Sequence, residues 1–274
     1  MSIPPGHTPP STPWIPERAS KLNTVARCPG FNALQSAGAD RVTAAANTGS
    51  AHHRLVELHH LGKHPLDALE IVRSEGDQWP LADYDEAEKW AVKYRADPRN
   101  RTTGTTQECI TSPGPVIATE LTVRCAIPCD PSDPTGEPIV LSGHVDQIRR
   151  GPDGLFAWDV KTGKGGGASL LYNAAWQLAA YAVAASQTLG DEVWCGGVIR
   201  SRGYVTRKTY APGEEPVFFH AGWSLEQCYE ILTSAAYVVA QLRRGEILTT
   251  PGDHCNWCPG GGPANCGAML RDLA

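Results

Sequence analysis

A five-residue turn, Arg150-Gly151-Pro152-Asp153-Gly154, separates two runs of extended-type residues, 139–148 and 155–161, and constrains this chain more than any other feature. Proline presets the backbone for a turn, the glycines tolerate left-handed conformations, and Asp closes the turn with its own side chain. The flanking runs are therefore predicted to pair as an antiparallel hairpin. The next segment, 170–186, reads as a long helix. Extended runs over 193–200 and 202–210 follow, then a helix over 225–244 with Arg243 and Arg244 in its last turn, where cations are favoured. A hairpin, a crossover helix and further strands together predict an α/β core with an antiparallel-leaning sheet.

Ahead of the hairpin, 116–118 and 121–123 read as extended, and 128–138 is a loop rich in Pro, Asp and Ser. Helices are expected from Ser20 to the stop at Cys28-Pro29-Gly30, over 51–61, and over 83–97 with Asp83 as N-cap. Residues 97–115 form a polar excursion, and the proline-rich residues 1–17 are expected to be disordered. Residues 18–274 then form a single domain, with a helical part (18–115), an α/β core (116–245) and a cysteine-bearing segment (246–274). At 274 residues and 41% apolar content, such a chain can bury roughly three quarters of its unfolded surface. It has no run of 18 apolar residues, and its first residues lack the basic-then-apolar pattern of a secretion signal, so neither membrane nor export is expected. A net charge of −5 excludes a protein coated in positive charge, yet 24 Lys and Arg leave room for a local basic groove.

The residues with chemistry cluster on the hairpin. Gly143-His144-Val145-Asp146 ends near the turn of one strand, and Trp158-Asp159-Val160-Lys161 lies on the next. Pairing the strands brings Asp146 close to Asp159, while alternation puts Asp159 and Lys161 on one face. Adjacent carboxylates raise one another's pKa unless a divalent cation neutralises them, and hard oxygen ligands suit Mg²⁺ or Mn²⁺. A surface hairpin carrying a simple Asp–Lys ion pair is the alternative. On the following helix, Gln177 and Tyr181 are four apart and share a face. Upstream, His53 and Glu57 also share a helix face; His53, Glu57 and His60 at i, i+4 and i+7 could instead hold zinc, or His52, His53, His59 and His60 could form a solvated face. Glu120 is a further acid on a strand before Asp146, equally suited to strand-edge packing or solvent exposure.

In order, Gly143-x-x-Asp146, Asp159-Val160-Lys161-Thr162-Gly163 and Gln177-x-x-x-Tyr181 resemble the RecB-type branch of the PD-(D/E)XK nuclease superfamily. Gly49-Ser50-Ala51-His52-His53-Arg54-Leu55-Val56-Glu57 is similar to that branch's helical G-T-x-x-H-x-x-x-E motif, with Ser50 replacing the usual Thr. The resemblance implies a restriction-endonuclease-like core, a mixed central sheet flanked by helices, in which His53, Asp146, Asp159 and the Val160 carbonyl bind Mg²⁺ or Mn²⁺. It further implies that Lys161 positions the attacking water, and that Gln177, Tyr181 and Glu57 complete the catalytic group. Arg149, Arg150, Arg200 and Arg202 are candidate phosphate contacts, each equally suited to being a solvated surface Arg.

Nine cysteines, at 28, 109, 125, 129, 195, 228, 255, 258 and 266, do not form a secreted disulfide pattern. Three of them, Cys255, Cys258 and Cys266, cluster near the end; with His254 they could hold zinc. The resemblance implies another solution. Iron–sulfur members of this branch, among them CRISPR-associated adaptation nucleases and the AddB subunit, carry one Cys near the start and three at the end. Cys28 fits the first position, which Cys125 or Cys129 could take only without the family context, so the implied cofactor is a [4Fe–4S] cluster stapling the ends of the domain.

By this resemblance the chain is expected to be a metal-dependent deoxyribonuclease, chiefly an exonuclease on single-stranded DNA ends, in recombination, repair or phage DNA processing. Its expected partners are DNA and either further copies of itself or a recombination protein, and its expected place is the cytoplasm of a bacterial or phage-infected cell. An inactive nuclease fold that binds DNA or serves in a complex is the first alternative, and an endonuclease the second.

Overall fold

A computed structural model describes residues 19, 20, 22, 43–97, 100, 114–162, 167–200 and 218–244. Three helices come first: α1 (Ala44–His60), α2 (Pro65–Ser74) and α3 (Tyr84–Ala96). The sheet follows, with β1 (Val116–Ile127), β2 (Ile139–Gly151) and β3 (Gly154–Lys161), then helix α4 (Gly167–Leu189), β4 (Val193–Arg200), β5 (Phe218–Trp223) and helix α5 (Leu225–Arg243). The strands lie in the order β1-β2-β3-β4-β5. All neighbours are antiparallel except β3 and β4, which run parallel because α4 carries the chain back across the sheet between them. The sheet is therefore mixed and flanked by helices, as the family resemblance implies, with antiparallel pairs in the majority.

Each face of the sheet has its own core. On one side α4 covers Val123, Cys125, Ile127, Ile139, Leu141, Val145 and Ile148, α5 packs on α4, β4 and β5, and Ala19 and Leu22 join the same cluster. Helix α4 buries Leu178 to Ala185 without interruption, as its all-round apolar sequence requires. It ends at Gly190, whose left-handed backbone (φ 68°) returns its N–H to the Ser186 carbonyl at 2.9 Å. On the other side Val56 of α1 and Tyr94 of α3 pack on Trp158, Val160, Ile199 and Phe218. The three helices hold one another through Ala51, Leu55, Leu58, Leu69, Val72, Ala87 and Ala91.

Several expectations shift. Helix α1 starts at Ala44, seven residues before its expected beginning, because Thr43 caps it by accepting the Ala46 N–H at 3.1 Å. Helix α2 lies where no helix is expected, although Pro65 at its first turn is a start signal; His64 caps it by accepting the Leu66 N–H. The two short runs 116–118 and 121–123 are one strand. Beyond β4 the sheet ends in β5, where no strand is expected; the expected strand over 202–210 lies outside the described residues. The same is true of the segment 1–17, expected to be disordered, and of the cysteine segment 246–274. No helix among the described residues is long and apolar enough to cross a membrane.

Candidate metal centre

On β1 and β2 strand alternation breaks at the same level of the sheet, and the site is built there. On β1, Ala118 packs into the same core as Leu121, Val123 and Cys125, so the inward-facing parity changes between 118 and 121. On β2, Ile148 shares that core with Val145, Leu141 and Ile139, so parity changes between 145 and 148 as well. Both changes coincide with acids. Glu120 is the one non-glycine described residue with left-handed backbone (φ 47°), and the register Thr119–Gln147 and Leu121–Val145 places Asp146 opposite it. A left-handed Glu costs about 1–2 kcal/mol, which the flanking ladder must impose. In return, neither carboxylate follows the regular pleat into the α4 core.

Helix α1 supplies the third group. His53 Nδ1 lies 3.5 Å from Asp146 Oδ1, and ligand atoms of His53, Glu120 and Asp146 all fall within 4.8 Å of one another. The other Asp146 oxygen accepts the Val160 N–H at 2.6 Å, which ties the end of β3 to the kink in β2. Asp159, 2% exposed, sits beside this group on the α4 side. Lys161 Nζ reaches Asp159 at 2.8 Å and donates to Gln177 Oε1 at 3.0 Å. The Gln177 amide in turn donates to Asp159 at 3.1 Å and to the Tyr181 hydroxyl at 2.9 Å. One helical turn thus holds Gln177 and Tyr181 where a strand delivers Asp159 and Lys161.

The charges are strongly coupled. Burial drives Glu120 up to about 7, with the Asp146 carboxylate adding to the effect and His53 opposing it. Burial likewise lifts Asp159 to about 6; Lys161 opposes this and Asp146 reinforces it. Burial opposes ionisation of Asp146 too, but His53 and Lys161 outweigh it and hold that carboxyl below its ordinary value. For His53, burial works against the proton, yet Asp146, Glu120 and Asp159 together raise it to about 9. Lys161 stays an ammonium: the Asp159 and Asp146 carboxylates overcome its burial and raise its pKa. Three carboxyl groups facing one imidazole form a site short of positive charge, with nitrogen and oxygen donors that suit Mg²⁺ or Mn²⁺. Binding such an ion requires His53 to give up its proton.

The other sequence-predicted residues separate. The zinc alternative on α1 does not converge: Glu57 pairs with Arg54 at 2.6 Å, and His60 Nε2 meets the Tyr94 hydroxyl at 2.9 Å. Glu57 stays near enough for its charge to help raise Glu120. His52 is fully buried with Nδ1 3.4 Å from the Ala87 carbonyl, and His59 Nε2 is 3.3 Å from the Asn100 carbonyl, so the four histidines do not form one solvated face. Arg149 is corrected. It is a core residue with no exposed surface, donating to Gln147 Oε1, Asn100 Oδ1, Tyr94 Oη and the Gly114 carbonyl. Such burial withholds it from any phosphate. Arg150 is exposed, Arg200 stands at the end of β4 beside Lys161, and Arg202 lies outside the described residues, as do Cys28, Cys255, Cys258 and Cys266. Glu120 gains most from the structure. Its sequence signal is a single acid within a strand that also carries Thr119, Thr122 and Arg124, which spacing alone does not distinguish from an edge residue.

No curated protein matches the chain. The family model of the PD-(D/E)XK nuclease superfamily matches residues 19–260, which span α1, the kinked hairpin, the Asp159–Lys161 strand and the Gln177 helix. With that match over most of its length, the chain belongs to the PD-(D/E)XK nuclease superfamily.

Proposed function

We propose that this chain is a RecB-type, metal-dependent deoxyribonuclease that acts as an exonuclease on single-stranded DNA ends, in recombination, repair or phage DNA processing. The observation that carries the reading is one continuous polar chain from His53 and Asp146 through Val160 N–H to Asp159, Lys161, Gln177 and Tyr181. His53, Glu120 and Asp146, with Asp159 and the Val160 carbonyl beside them, would hold Mg²⁺ or Mn²⁺. Such an ion, when bound, activates water and offsets charge on the phosphodiester. Lys161, kept protonated by its carboxylate neighbours, donates a hydrogen bond that aims the attacking water and balances the charge gathering on the phosphate. Gln177 holds the Lys161 ammonium in place and in turn leans on Tyr181. Glu57, locked to Arg54, contributes through its field on Glu120. Arg150, Arg200 and Arg202 are the remaining candidate phosphate contacts.

In the same reading Cys28, Cys255, Cys258 and Cys266 hold a [4Fe–4S] cluster that closes the domain on itself, and the molecule works with further copies of itself or a recombination protein. The motif order of the sequence supports the cluster. Anaerobically purified protein should contain iron and acid-labile sulfide in equal amounts; zinc in their place would overturn the assignment.

The test is digestion of end-labelled linear and circular single-stranded DNA with Mg²⁺ or Mn²⁺ and an EDTA control. Nucleotides released from linear DNA alone, and lost in Asp159→Ala by about 10³-fold or more, are expected. Cutting of the circle would make the protein an endonuclease. Binding without cutting under either ion would make it an inactive member of the superfamily.

A further inference from the structure

Strands β1 and β2 continue well past the metal centre. Strand β3 pairs with β2 only from Gln147 to Gly151, so residues 139–145 of β2 and their β1 partners project beyond it as a two-stranded ribbon. One face of this ribbon, bearing Val123, Cys125, Ile127, Ile139 and Leu141, is buried under α4. The opposite face alternates with it and is exposed: Thr122 pairs with His144, Arg124 with Ser142, and Ala126 with Val140. That face lies on the side of the sheet from which α1 delivers His53, because the α4 side is already filled. It begins at Glu120 and Asp146, two residues from the first exposed pair on either strand.

Its chemistry differs from the rest of this acidic chain. Beyond Glu120 and Asp146 the face carries no acid. Arg124 has no ion-pair or hydrogen-bond partner among the described residues, whereas Arg54, Arg73, Arg149 and Arg243 are all paired. Thr122 Oγ1 and His144 Nδ1 are 3.3 Å apart, which fixes the imidazole and leaves its Nε2 for another group. Val140, 39% exposed opposite Ala126, ends the strip with a small apolar surface. From Glu120 to Ala126 the strip runs about 20 Å. An unpaired guanidinium, a hydroxyl–imidazole pair and an apolar end, continuous with a divalent-ion site, complement a polyanion whose sugars and bases also need contact.

We propose that the exposed face of the β1–β2 ribbon is the track on which the DNA strand lies as it runs to the metal centre, with Arg124 and His144 as its phosphate contacts. This rests on the deoxyribonuclease reading, but the track is testable apart from catalysis. Binding of a fluorescent single-stranded oligonucleotide should be measured in EDTA by anisotropy across a salt series, and KM, kcat and Mn²⁺ affinity on the cleavage substrate, for Arg124→Glu, Arg124→Lys and His144→Ala. Arg124→Glu should raise both the oligonucleotide Kd and KM by about 10-fold or more and flatten the log Kd against log salt slope by about 0.7. Its kcat and Mn²⁺ affinity should be unchanged. Arg124→Lys should recover most of the loss, and His144→Ala should raise KM several-fold. Cleavage by the wild type together with unchanged KM and salt slope in Arg124→Glu would overturn the track and leave the nuclease reading intact. Absence of cleavage, with binding still weakened by Arg124→Glu, would overturn the nuclease reading and keep the track. Failure of the oligonucleotide to bind the wild type at all, or competition for the face by a second copy of the chain, would overturn the track.

Discussion

Glu120 concentrates the physics of the site in one side chain. It sits in left-handed backbone opposite Asp146, within ligand distance of His53, and burial raises its pKa to about 7. A half-buried acid in strained backbone is doubly costly, and a cation is the partner that would relieve the charge. Replacing it with Gln keeps the shape while removing the negative charge. Glu120→Gln is expected to weaken Mn²⁺ binding by about 10-fold or more in calorimetric titration, and to lower cleavage in parallel. Undiminished Mn²⁺ affinity would remove Glu120 from the ligand set. Arg149 makes the converse point: a guanidinium expected at the surface serves instead as the hub joining β2 to Tyr94, Asn100 and Gly114.

Between elements, the contact that fixes the site is the approach of α1 to the end of β3. A Cβ added at Gly49 would meet Thr162 Oγ1 at 2.8 Å, with the remaining Thr162 side-chain atoms at 3.8 Å. Gly49 is one turn before His53, and Thr162 follows Lys161, so this spacing sets how the imidazole stands against the lysine strand. Alanine would gain about 1 kcal/mol of helix propensity at Gly49, but the overlap costs about 1–3 kcal/mol, so the clash wins. Gly49→Ala should therefore lower the unfolding midpoint and displace His53, cutting kcat more than KM. In a Thr162→Ala background the obstructing hydroxyl is gone, and the same change should become neutral or stabilising. Additive behaviour of the two substitutions in a double-mutant cycle would show that the contact does not govern the spacing.

Over the whole molecule, stability depends on pH through groups buried as neutral species. Burial lowers His52 from 6.5 to about 3, with the neighbouring His53 charge adding to it. In the unfolded chain His52 takes a proton as pH falls below 6.5, while in the folded chain it does not until about 3. The unfolded state thus binds more protons in that window. The contribution of His52 is fully present above pH 6.5 and is lost as pH falls towards 3. Between pH 6.5 and 5 the loss is about 2 kcal/mol. Glu120 and Asp159, whose folded pKa values are raised, change in the opposite sense, so a bare stability profile mixes the two. The clean measurement is urea unfolding of wild type and His52→Phe at both pH values. The wild type should lose about 2 kcal/mol more than the variant; equal losses would mean that His52 is not held neutral by the fold.

Local pattern alone was enough for the hairpin, the apolar helix α4, the Asp83-capped helix α3 and the order of the acidic and basic motifs, because turn chemistry, capping and hydrophobic period act over a few residues. It also placed Asp146, Asp159, Lys161, Gln177 and Tyr181 on the correct elements. Local pattern did not reach β5 as the partner of β4, the burial of Arg149 or the dispersal of the four histidines, since each depends on what packs against an element rather than on the element itself. The clearest case is the kink at Glu120 and Asp146. Regular alternation is a rule about one strand, whereas the slip that turns both carboxylates towards His53 exists only when two strands and a helix meet, and no spacing within one segment encodes that meeting.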